Sequence, residues 1–346
     1  YNPSQGALGQ RAVLASIFSM PSAQIRVVSP DTGGGFGVRG EVHSEVCVAA
    51  FAAMALGRPI KYTGDRSEMF LSDNHGRDNL TEVTGSFDAQ GNILGVRVET
   101  TANLGAYCSN AGPFVPTMAG GRIVGSVYRI PRLHPSVRCV STHTMPGGAY
   151  RGAGRPEACY VMERLFDAAA QQMDMDAIGL RKRNFIAPSD MPYQLPSGVT
   201  VSSGEFSATL DMALQRSDWE GFAKRADASA AQGLLRGRGI GFYVESSGGG
   251  PEEEAAISVG EDGRIDVVVG TFSHGQGHRT TYAQILSDTL GVDFEDINIV
   301  QGDTEVVAFG GGTGGSRSSQ MGGVAVKRAG LALVDEAKTI AAEMIQ

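Results

Sequence analysis

The sequence is poor in cysteine and in long apolar runs, and each shortage excludes a class of protein. Only four of its 346 residues are cysteines, and no two of them form a C-x-x-C pair. The usual sequence patterns of zinc ribbons and of protein-bound iron–sulfur clusters are therefore absent. No apolar run reaches the roughly 18 residues that a membrane-spanning helix needs, so the sequence predicts no membrane span.

Charged residues and familiar catalytic motifs are also scarce. Charged residues make up 19% of the chain and the formal net charge is −8, which predicts an acidic, solvated surface and disfavours nucleic acid as a partner. The scattered cysteines are typical of reduced thiols in a cytoplasmic protein. The sequence contains no G-x-S-x-G elbow, no Walker motif and no clear carboxylate pair. It thus indicates no side-chain nucleophile or acid–base pair that would carry a reaction unaided.

Glycine, in contrast, is abundant, with 48 residues, and it is concentrated in four segments. These are loop 1 (33–40), loop 2 (147–155), loop 3 (270–278) and loop 4 (310–319), and the sequence pattern predicts a helix after each of them. Glycine permits positive φ and close approach of a ligand, and the free N–H groups of a helix start favour anionic groups. Four such loops, with Arg, Ser and Thr beside them, predict a large phosphate-bearing cofactor that carries the chemistry.

An NAD site is an alternative that loop 1 leaves open. Gly35–Gly40 matches G-x-G-x-x-G, and the next apolar run ends near Asp65, where a ribose-binding acid would lie. Against this reading, residues 29–32 separate the preceding apolar run from the first glycine, whereas the dinucleotide turn follows its strand almost directly.

Two polar patterns are interpreted as structural rather than as metal-binding or catalytic. His274 and His278 are spaced like metal ligands, but flanking glycines and the lack of a spaced carboxylate favour hydrogen bonding within loop 3 and at a helix start. The run Glu252–Glu254 is typical of a solvated face.

Hydrophobic periodicity predicts an α+β fold built from two related subdomains of mixed sheets and helices. In each half a helix leads to an apolar strand, at 25–28 and at 297–300, and then to Asp-Thr, a glycine loop and a helix. The predicted divisions are a first subdomain at 1–190, a linker with helices at 191–236, and the start of a second subdomain at 237–346. The predicted helices are 7–20, 41–56, 156–173, 206–216, 222–231, 277–290 and 318–344. The predicted strands are 25–28, 81–87, 93–101, 138–144, 239–246, 255–259, 264–269 and 296–300.

Four motifs together resemble the molybdenum-binding subunit of the xanthine dehydrogenase and aldehyde oxidoreductase family, which includes the carbon monoxide dehydrogenase large chain. They are Gly33–Gly37 (GGGFG), Ala149–Arg155 (AYRGAGR), Ser273–His278 (SHGQGH) and Gly312–Ser318 (GTGGSRS). The resemblance covers nearly the whole chain in the family's order. It implies a molybdenum–molybdopterin cofactor, in the cytosine dinucleotide form, between two molybdopterin-binding subdomains. It also implies that pterin sulfurs hold the metal, so that no protein metal ligand is expected.

Individual residues acquire roles only through this resemblance. Gln5 resembles the glutamine whose amide donates to an oxygen on molybdenum, and Arg151 resembles the arginine near the metal and substrate, so these two are the implied catalytic residues. The implied cofactor-binding residues are Gly35, Phe36, Gly37, Ala149, Tyr150, Arg151, Gly275, Gln276, Gly277, Thr313, Gly315, Ser316 and Ser318.

The sequence departs from the family pattern at three places. The family's catalytic base is a glutamate in a downstream G-x-G-E stretch, and the chain ends at Gln346 before such a stretch, so we expect the chain alone to be inactive. The glutamate of purine-binding members is replaced by Gly40, and their substrate arginine falls near Ala119, which disfavours xanthine. The cysteine that follows the loop arginine in carbon monoxide enzymes is replaced by Gly152, which disfavours carbon monoxide.

The resemblance also implies partners. They are the rest of the molybdenum subunit, an iron–sulfur subunit, an FAD subunit, and a small-molecule substrate that is an aldehyde or an N-heterocycle. Iron–sulfur clusters and FAD are expected only on partner chains. A non-catalytic cofactor-binding or assembly fragment is the alternative from a different functional class.

Overall fold

A computed structural model describes residues 1–249 and 252–345. The chain forms two compact units, of which the first combines Tyr1–Asp73 with Ser246–Gln346 and the second is Asn74–Glu245. Each unit carries a three-stranded sheet of mixed strand direction together with helices. The predicted α+β class, with mixed sheets and helices in both parts, is therefore confirmed.

The elements are numbered in chain order through both units. The helices are α1 (Ala7–Phe18), α2 (Ser44–Leu56), α3 (Arg66–Ser72), α4 (Arg155–Met173), α5 (Ala177–Asn184), α6 (Phe206–Arg216), α7 (Phe222–Ala230), α8 (His278–Leu290) and α9 (Gly323–Ile345). The strands are β1 (Asn79–Phe87), β2 (Ile93–Gly105), β3 (Leu133–Ser141), β4 (Tyr193–Gln194), β5 (Thr200–Val201), β6 (Ala255–Val259), β7 (Ile265–Val269) and β8 (Ile297–Val300). Among the described residues, no helix combines the length and apolarity needed to cross a membrane.

The second unit packs α4 against its sheet. Strands β1 and β2 form an antiparallel hairpin, and β2 then pairs parallel with β3. Met162 and Phe166 on α4 are completely buried with Val96 and Val98 of β2, and the Tyr128 ring stacks on Phe166 with 4.0 Å between ring centroids. Burying each large side chain of this kind stabilises the fold by about 1.5–3 kcal/mol. The core thereby fixes α4, and with it the end of loop 2, from which α4 begins.

The first unit repeats this arrangement with other residues. Strands β6 and β7 form an antiparallel hairpin, and β7 pairs parallel with β8 after a crossover through α8, as parallel strands require. The buried cluster between this sheet and its helices includes Val267, Tyr282, Leu286 and Val326. A smaller cluster joins α1 to the chain that precedes loop 1.

In each unit the third strand leads to a glycine loop and then to a long helix. Strand β3 is followed by loop 2 and α4, and β8 is followed by loop 4 and α9. The segments before loops 1 and 4 were predicted to be corresponding strands of the two halves, and that prediction is wrong because residues 25–28 do not form a strand.

Two predicted strands are absent from the described part of the chain. In residues 25–28 only Val28 makes a β-bridge, to Asp303, while the Val27 N–H donates to the Thr304 hydroxyl. Residues 239–246 are likewise unpaired, although Phe242 packs against the core of the second unit. An alternating apolar pattern indicates a half-buried extended chain, but a strand also needs a neighbour with which to pair.

The second unit contains a fully buried ion pair. The Arg181 guanidinium is 0% exposed and donates to the Glu163 carboxylate at 2.8 Å and to Asp167 at 2.8 Å. The other Glu163 oxygen accepts from the Tyr128 hydroxyl at 2.5 Å. Burial, followed by the negative charge of Glu163, raises the pKa of Tyr128 far above its ordinary value, so its proton stays in this bond. Both Glu163 oxygens are satisfied, as a buried charge requires.

We predict that Arg181→Met destabilises the second unit by about 3–5 kcal/mol, because it leaves a buried carboxylate without its cation. Trp219, the only tryptophan, lies in this unit, so urea denaturation followed by its fluorescence measures the loss. The matched control is Arg97→Met, which removes an exposed pair with Glu99 and should cost about 0–1 kcal/mol. Equal losses for the two variants would contradict the prediction.

Candidate functional site

Gln5 connects two of the glycine loops in the first unit. Its side-chain carbonyl accepts from the Gly37 N–H of loop 1 at 2.8 Å, and its side-chain amide donates to the Thr313 carbonyl of loop 4 at 3.0 Å. Its backbone carbonyl accepts from the Thr313 N–H at 2.7 Å, and its N–H donates to the Arg39 carbonyl at 3.0 Å. These hydrogen bonds fix loops 1 and 4 on either side of one residue.

Two glycines lie too close to Gln5 to carry a side chain. A Cβ at Gly35 would lie 2.6 Å from the Gln5 Cγ, and a Cβ at Gly312 would lie 2.3 Å from the Gln5 carbonyl oxygen. Gly312 also has a φ of +68°, in the region that favours glycine. Part of the glycine content of loops 1 and 4 therefore serves contact with Gln5 rather than access for a ligand.

Loop 1 ends in a short 3₁₀ turn, Val38–Gly40, and not in the start of an α-helix. Helix α2 begins at Ser44, three residues later than predicted, and residues 25–28 before the loop are not a strand. The NAD alternative therefore lacks the strand–turn–helix that its motif requires. Phe36 has a φ of +54° and is 52% exposed, so the loop presents an aromatic ring to solvent.

Loop 3 leads directly into α8. Gly277 occupies the position before the helix, with a φ of +75°, and no side chain caps this helix start. Gln276 turns back within the loop, where its carbonyl oxygen accepts from the His274 N–H at 2.7 Å and its amide nitrogen lies 2.9 Å from the His274 Nδ1. Gly275 is exposed with Gln276 and Gly277, so the turn of loop 3 faces solvent.

The two histidines of loop 3 are buried. His274 is 6% exposed and His278 is 4% exposed, and the His274 Nε2 has no hydrogen-bond partner in the described structure. Burial lowers the pKa of both, and for His278, which also lies near His274, to about 4. Among the described residues, no group of three or more His, Cys, Asp or Glu comes together.

Loop 4 is joined to loop 3 through hydroxyl groups. The Thr313 hydroxyl accepts from the Phe272 N–H at 3.1 Å and lies 3.0 Å from the Ser318 hydroxyl. The Tyr282 hydroxyl of α8 donates to the Ser318 carbonyl at 3.0 Å. Gly315 and Ser316 are exposed between these fixed points, and both have positive φ. Loop 4 thus has a fixed base and an open tip.

Loop 2 belongs to the second unit. Arg151 is exposed there, and its carbonyl accepts from the Arg77 guanidinium, which also lies 4.9 Å from the centre of the Tyr150 ring. Ala149 is half-buried. At Gly154, with a φ of +89°, a Cβ would lie 2.4 Å from the Val115 carbonyl oxygen, so this glycine is required by packing.

The structure therefore brings most predicted site residues into one unit. Gln5 and the predicted residues of loops 1, 3 and 4 lie in the first unit, whereas Ala149, Tyr150 and Arg151 lie in the second.

One residue that contacts loop 4 was interpreted wrongly from the sequence. Glu253 is buried and forms an ion pair with Arg317 at 2.5 Å, although the run Glu252–Glu254 was predicted to be a solvated face. The strand alternation that continues into β6 was the signal that could have separated Glu253 from its neighbours.

Comparison with known protein families identifies the family of this chain. Models of molybdopterin cofactor-binding domains match residues 1–185 and residues 212–346. The chain belongs to the molybdopterin-binding large subunits of the xanthine dehydrogenase, aldehyde oxidoreductase and carbon monoxide dehydrogenase family. The predicted molybdopterin-binding character and oxidoreductase family are thereby confirmed.

Two curated members of this molybdopterin-binding family illustrate the relationship. The carbon monoxide dehydrogenase large chain of Hydrogenophaga pseudoflava is 35% identical over 100% of this chain and 45% of its own length. The 6-hydroxypseudooxynicotine dehydrogenase complex subunit gamma of Paenarthrobacter nicotinovorans is 34% identical over 97% of this chain and 43% of its own length. The chain thus spans less than half the length of these relatives.

Solved structures of the molybdopterin-binding family show the same fold. The crystal structure of the Cu,Mo-CO dehydrogenase matches 99% of this chain and 45% of that chain, with a TM-score of 0.90 and 31% identity. Quinoline 2-oxidoreductase from Pseudomonas putida 86 matches 94% of this chain and 43% of that chain, with a TM-score of 0.88 and 30% identity.

We predict that His278 makes the first unit sensitive to acid. An unfolded histidine titrates near pH 6.5 and the folded one near 4, so the unfolded state binds the proton first as the pH falls through this window. The contribution of neutral His278 to the free energy of unfolding is complete above about pH 6.5 and is lost progressively as the pH falls towards 4. Between pH 7 and pH 5 the loss should be about 2 kcal/mol larger in the unsubstituted chain than in His278→Gln.

Hydrogen exchange of the α8 amides at both pH values measures this difference. The control is His134→Gln, which removes an exposed histidine of β3 in the second unit and should leave the exchange of the α8 amides as it is in the unsubstituted chain. A His278→Gln variant that keeps the full acid loss would exclude His278 as its origin.

Proposed function

We propose that this chain is the cofactor-binding portion of a molybdenum hydroxylase that oxidises an aldehyde or an N-heterocycle with oxygen derived from water. The observation that carries the proposal is the bridge at Gln5, where segments far apart in the chain, loops 1 and 4, meet on the residue that the family resemblance assigns to the metal centre. When bound, the molybdenum–pterin group supplies the two-electron oxidation of the substrate carbon. The protein supplies binding and orientation.

The first unit has hydrogen-bond donors that suit a molybdenum–pterin group. An amide nitrogen carries two hydrogens, and Gln5 gives one to Thr313, which leaves the other to donate to a ligand oxygen. The start of α8 offers backbone N–H groups that no side chain caps, and these favour a phosphate. The exposed Ser316 adds a hydroxyl donor at the tip of loop 4. We propose that the remaining predicted residues of loops 1, 2, 3 and 4 contact the pterin or its phosphate.

The choice of substrate rests on the departures from the family pattern. Gly152 follows the loop 2 arginine where carbon monoxide enzymes carry a cysteine, so we propose a substrate other than carbon monoxide, despite the similarity to those large chains. Gly40 and Ala119 occupy the positions of the purine-binding glutamate and arginine, so xanthine is disfavoured as well. An aldehyde or an N-heterocycle is the proposed class.

Partners complete the proposed enzyme. We propose the cytosine dinucleotide form of the cofactor, together with the rest of the molybdenum subunit and with iron–sulfur and FAD subunits that take the electrons. Exposed apolar residues of α2 support a partner surface on the first unit, with Val48 66% exposed, Phe51 63% exposed and Met54 50% exposed. The chain alone is proposed to be inactive, and its cytoplasmic location stays a prediction.

The proposal predicts that the chain, produced together with the rest of its subunit in a host that makes molybdenum cofactor, retains pterin and that Gln5→Ala retains at least about tenfold less. Pterin is measured as its fluorescent oxidation product and molybdenum by elemental analysis. In the enzyme reassembled with its partners, Gln5→Ala should lower turnover by about one to three orders of magnitude, as for loss of a positioned donor.

The matched control is Gln10→Ala, which also removes a glutamine side chain from the first unit. Gln10 is 2% exposed and donates to the Glu41 carbonyl at 2.8 Å, away from loop 4. Its variant should keep the cofactor. Equal pterin content in both variants would remove Gln5 from the site, and a chain without pterin, alone and with its partners, would contradict the proposed function.

A further inference from the structure

Glu253 is set apart from its acidic neighbours by burial. Glu252 and Glu254 are exposed, whereas the Glu253 side chain is 1% exposed. Successive residues of an extended chain point to opposite sides, so Glu253 shares a side with the half-buried Ala255 of β6. A carboxylate is buried in this way only when a cation or several donors compensate for its lost hydration.

The compensation comes from loop 4. One Glu253 oxygen, Oε2, lies 2.5 Å from the Arg317 guanidinium and accepts from the Gly311 N–H at 3.3 Å. Arg317 is 4% exposed and donates in addition to the Gly312 carbonyl at 2.9 Å and to the Gly249 carbonyl at 3.3 Å. The carboxylate and the guanidinium therefore hold the two ends of loop 4 together across its open tip.

The second oxygen of Glu253 ties the pair to loop 3. A Cβ at Gly270 would lie 2.3 Å from the Glu253 Oε1, and a Cβ at Gly310 would lie 2.5 Å from it. Both positions are restricted to glycine mainly because the two backbones meet there: a Cβ at Gly270 would also lie 2.3 Å from the Phe309 carbonyl oxygen, and a Cβ at Gly310 would lie 2.4 Å from the Gly270 Cα. The Glu253 Oε1 packs beside this contact and has no hydrogen-bond partner in the described structure. Gly270 begins loop 3 and Gly310 begins loop 4, so Glu253 lies where the two loops start.

We propose that the Glu253–Arg317 pair positions loops 3 and 4 for the cofactor, an inference that rests on the function proposed above. Glu253 packs against both loops where their backbones meet and accepts from the Gly311 N–H of loop 4. Arg317 closes loop 4 and cancels the negative charge of Glu253 beneath a loop that binds an anionic group. Both residues act through the loops, and they are positioning residues rather than contacts to the reacting atoms.

The two roles of Arg317 predict an asymmetry that a purely structural ion pair would not show. Arg317→Met leaves a buried negative charge under the phosphate-binding loop, and like charges repel strongly where water is excluded. Glu253→Gln keeps an acceptor of similar shape for Gly311 and leaves a positive charge, which an anion tolerates. Replacing both residues removes the repulsion again.

The test compares Arg317→Met, Glu253→Gln and the double variant in the full chain. Amide hydrogen exchange without cofactor should become at least tenfold faster in residues 270–277 and 310–318 of Arg317→Met. Pterin content after production together with the rest of the subunit in a host that makes the cofactor should fall at least tenfold in Arg317→Met and less than threefold in Glu253→Gln. The double variant should hold at least fivefold more pterin than Arg317→Met.

Arg181→Met is the matched control, because it breaks a buried ion pair of the second unit that contacts neither loop. It should leave exchange in both loops within twofold of the unsubstituted chain. Unchanged exchange in Arg317→Met, or equal pterin loss in Arg317→Met and the double variant, would overturn the inference. If the unsubstituted chain holds no pterin, alone and with its partners, the proposed function fails instead, and the exchange pattern alone decides whether the pair positions the loops.

Discussion

The candidate site depends on the four hydrogen bonds of Gln5 to loops 1 and 4. Both ends of its side-chain amide and both of its backbone groups are engaged, so one residue near the start of the chain fixes segments that are about 30 and about 310 positions away. Glycine-rich loops are otherwise costly to order, since glycine loses more conformational freedom on folding than any other residue. Gln5 offsets part of this cost because each of its hydrogen bonds stabilises the ordered loops by about 0.5–1.5 kcal/mol.

The direction of the strands explains where each unit places its glycine loop. A hairpin followed by a parallel third strand leaves the chain at one end of the sheet, from which it must turn before the next helix. Loop 2 makes this turn before α4, and loop 4 makes it before α9. The helix is anchored by its apolar face, so the loop is held at both ends while its tip stays open. Each mixed sheet thereby provides a rigid base for a glycine-rich loop.

Much of this organisation was predictable from the sequence, and the predictions that were wrong or incomplete have physical causes. The hairpins, the long helices and Gln5 beside loop 1 followed from periodicity and from motif resemblance. The segments 25–28 and 239–246 carry strand-like patterns, yet whether a strand forms depends on a neighbour that the local pattern does not contain. Hydrogen bonding of His274 within loop 3 was predicted, but its partner Gln276 was not, because the glycines on both sides of Gln276 permit many directions. The burial of Glu253 was missed because three consecutive glutamates suggest solvent more strongly than alternation suggests a strand.

The two buried ion pairs show why burial alone does not reveal a role. Glu163 has a partner on each oxygen, from Tyr128 and from Arg181, so its charge is fully compensated inside the second unit. Within the described residues Glu253 has all its partners on one oxygen, while the other lies against the backbone of two loop glycines. A fully compensated pair can be exchanged for apolar residues with little effect on anything but stability. A pair with one oxygen packed against two loops has a geometry that apolar residues do not reproduce, and this difference places Glu253 and Arg317 with the site rather than with the core.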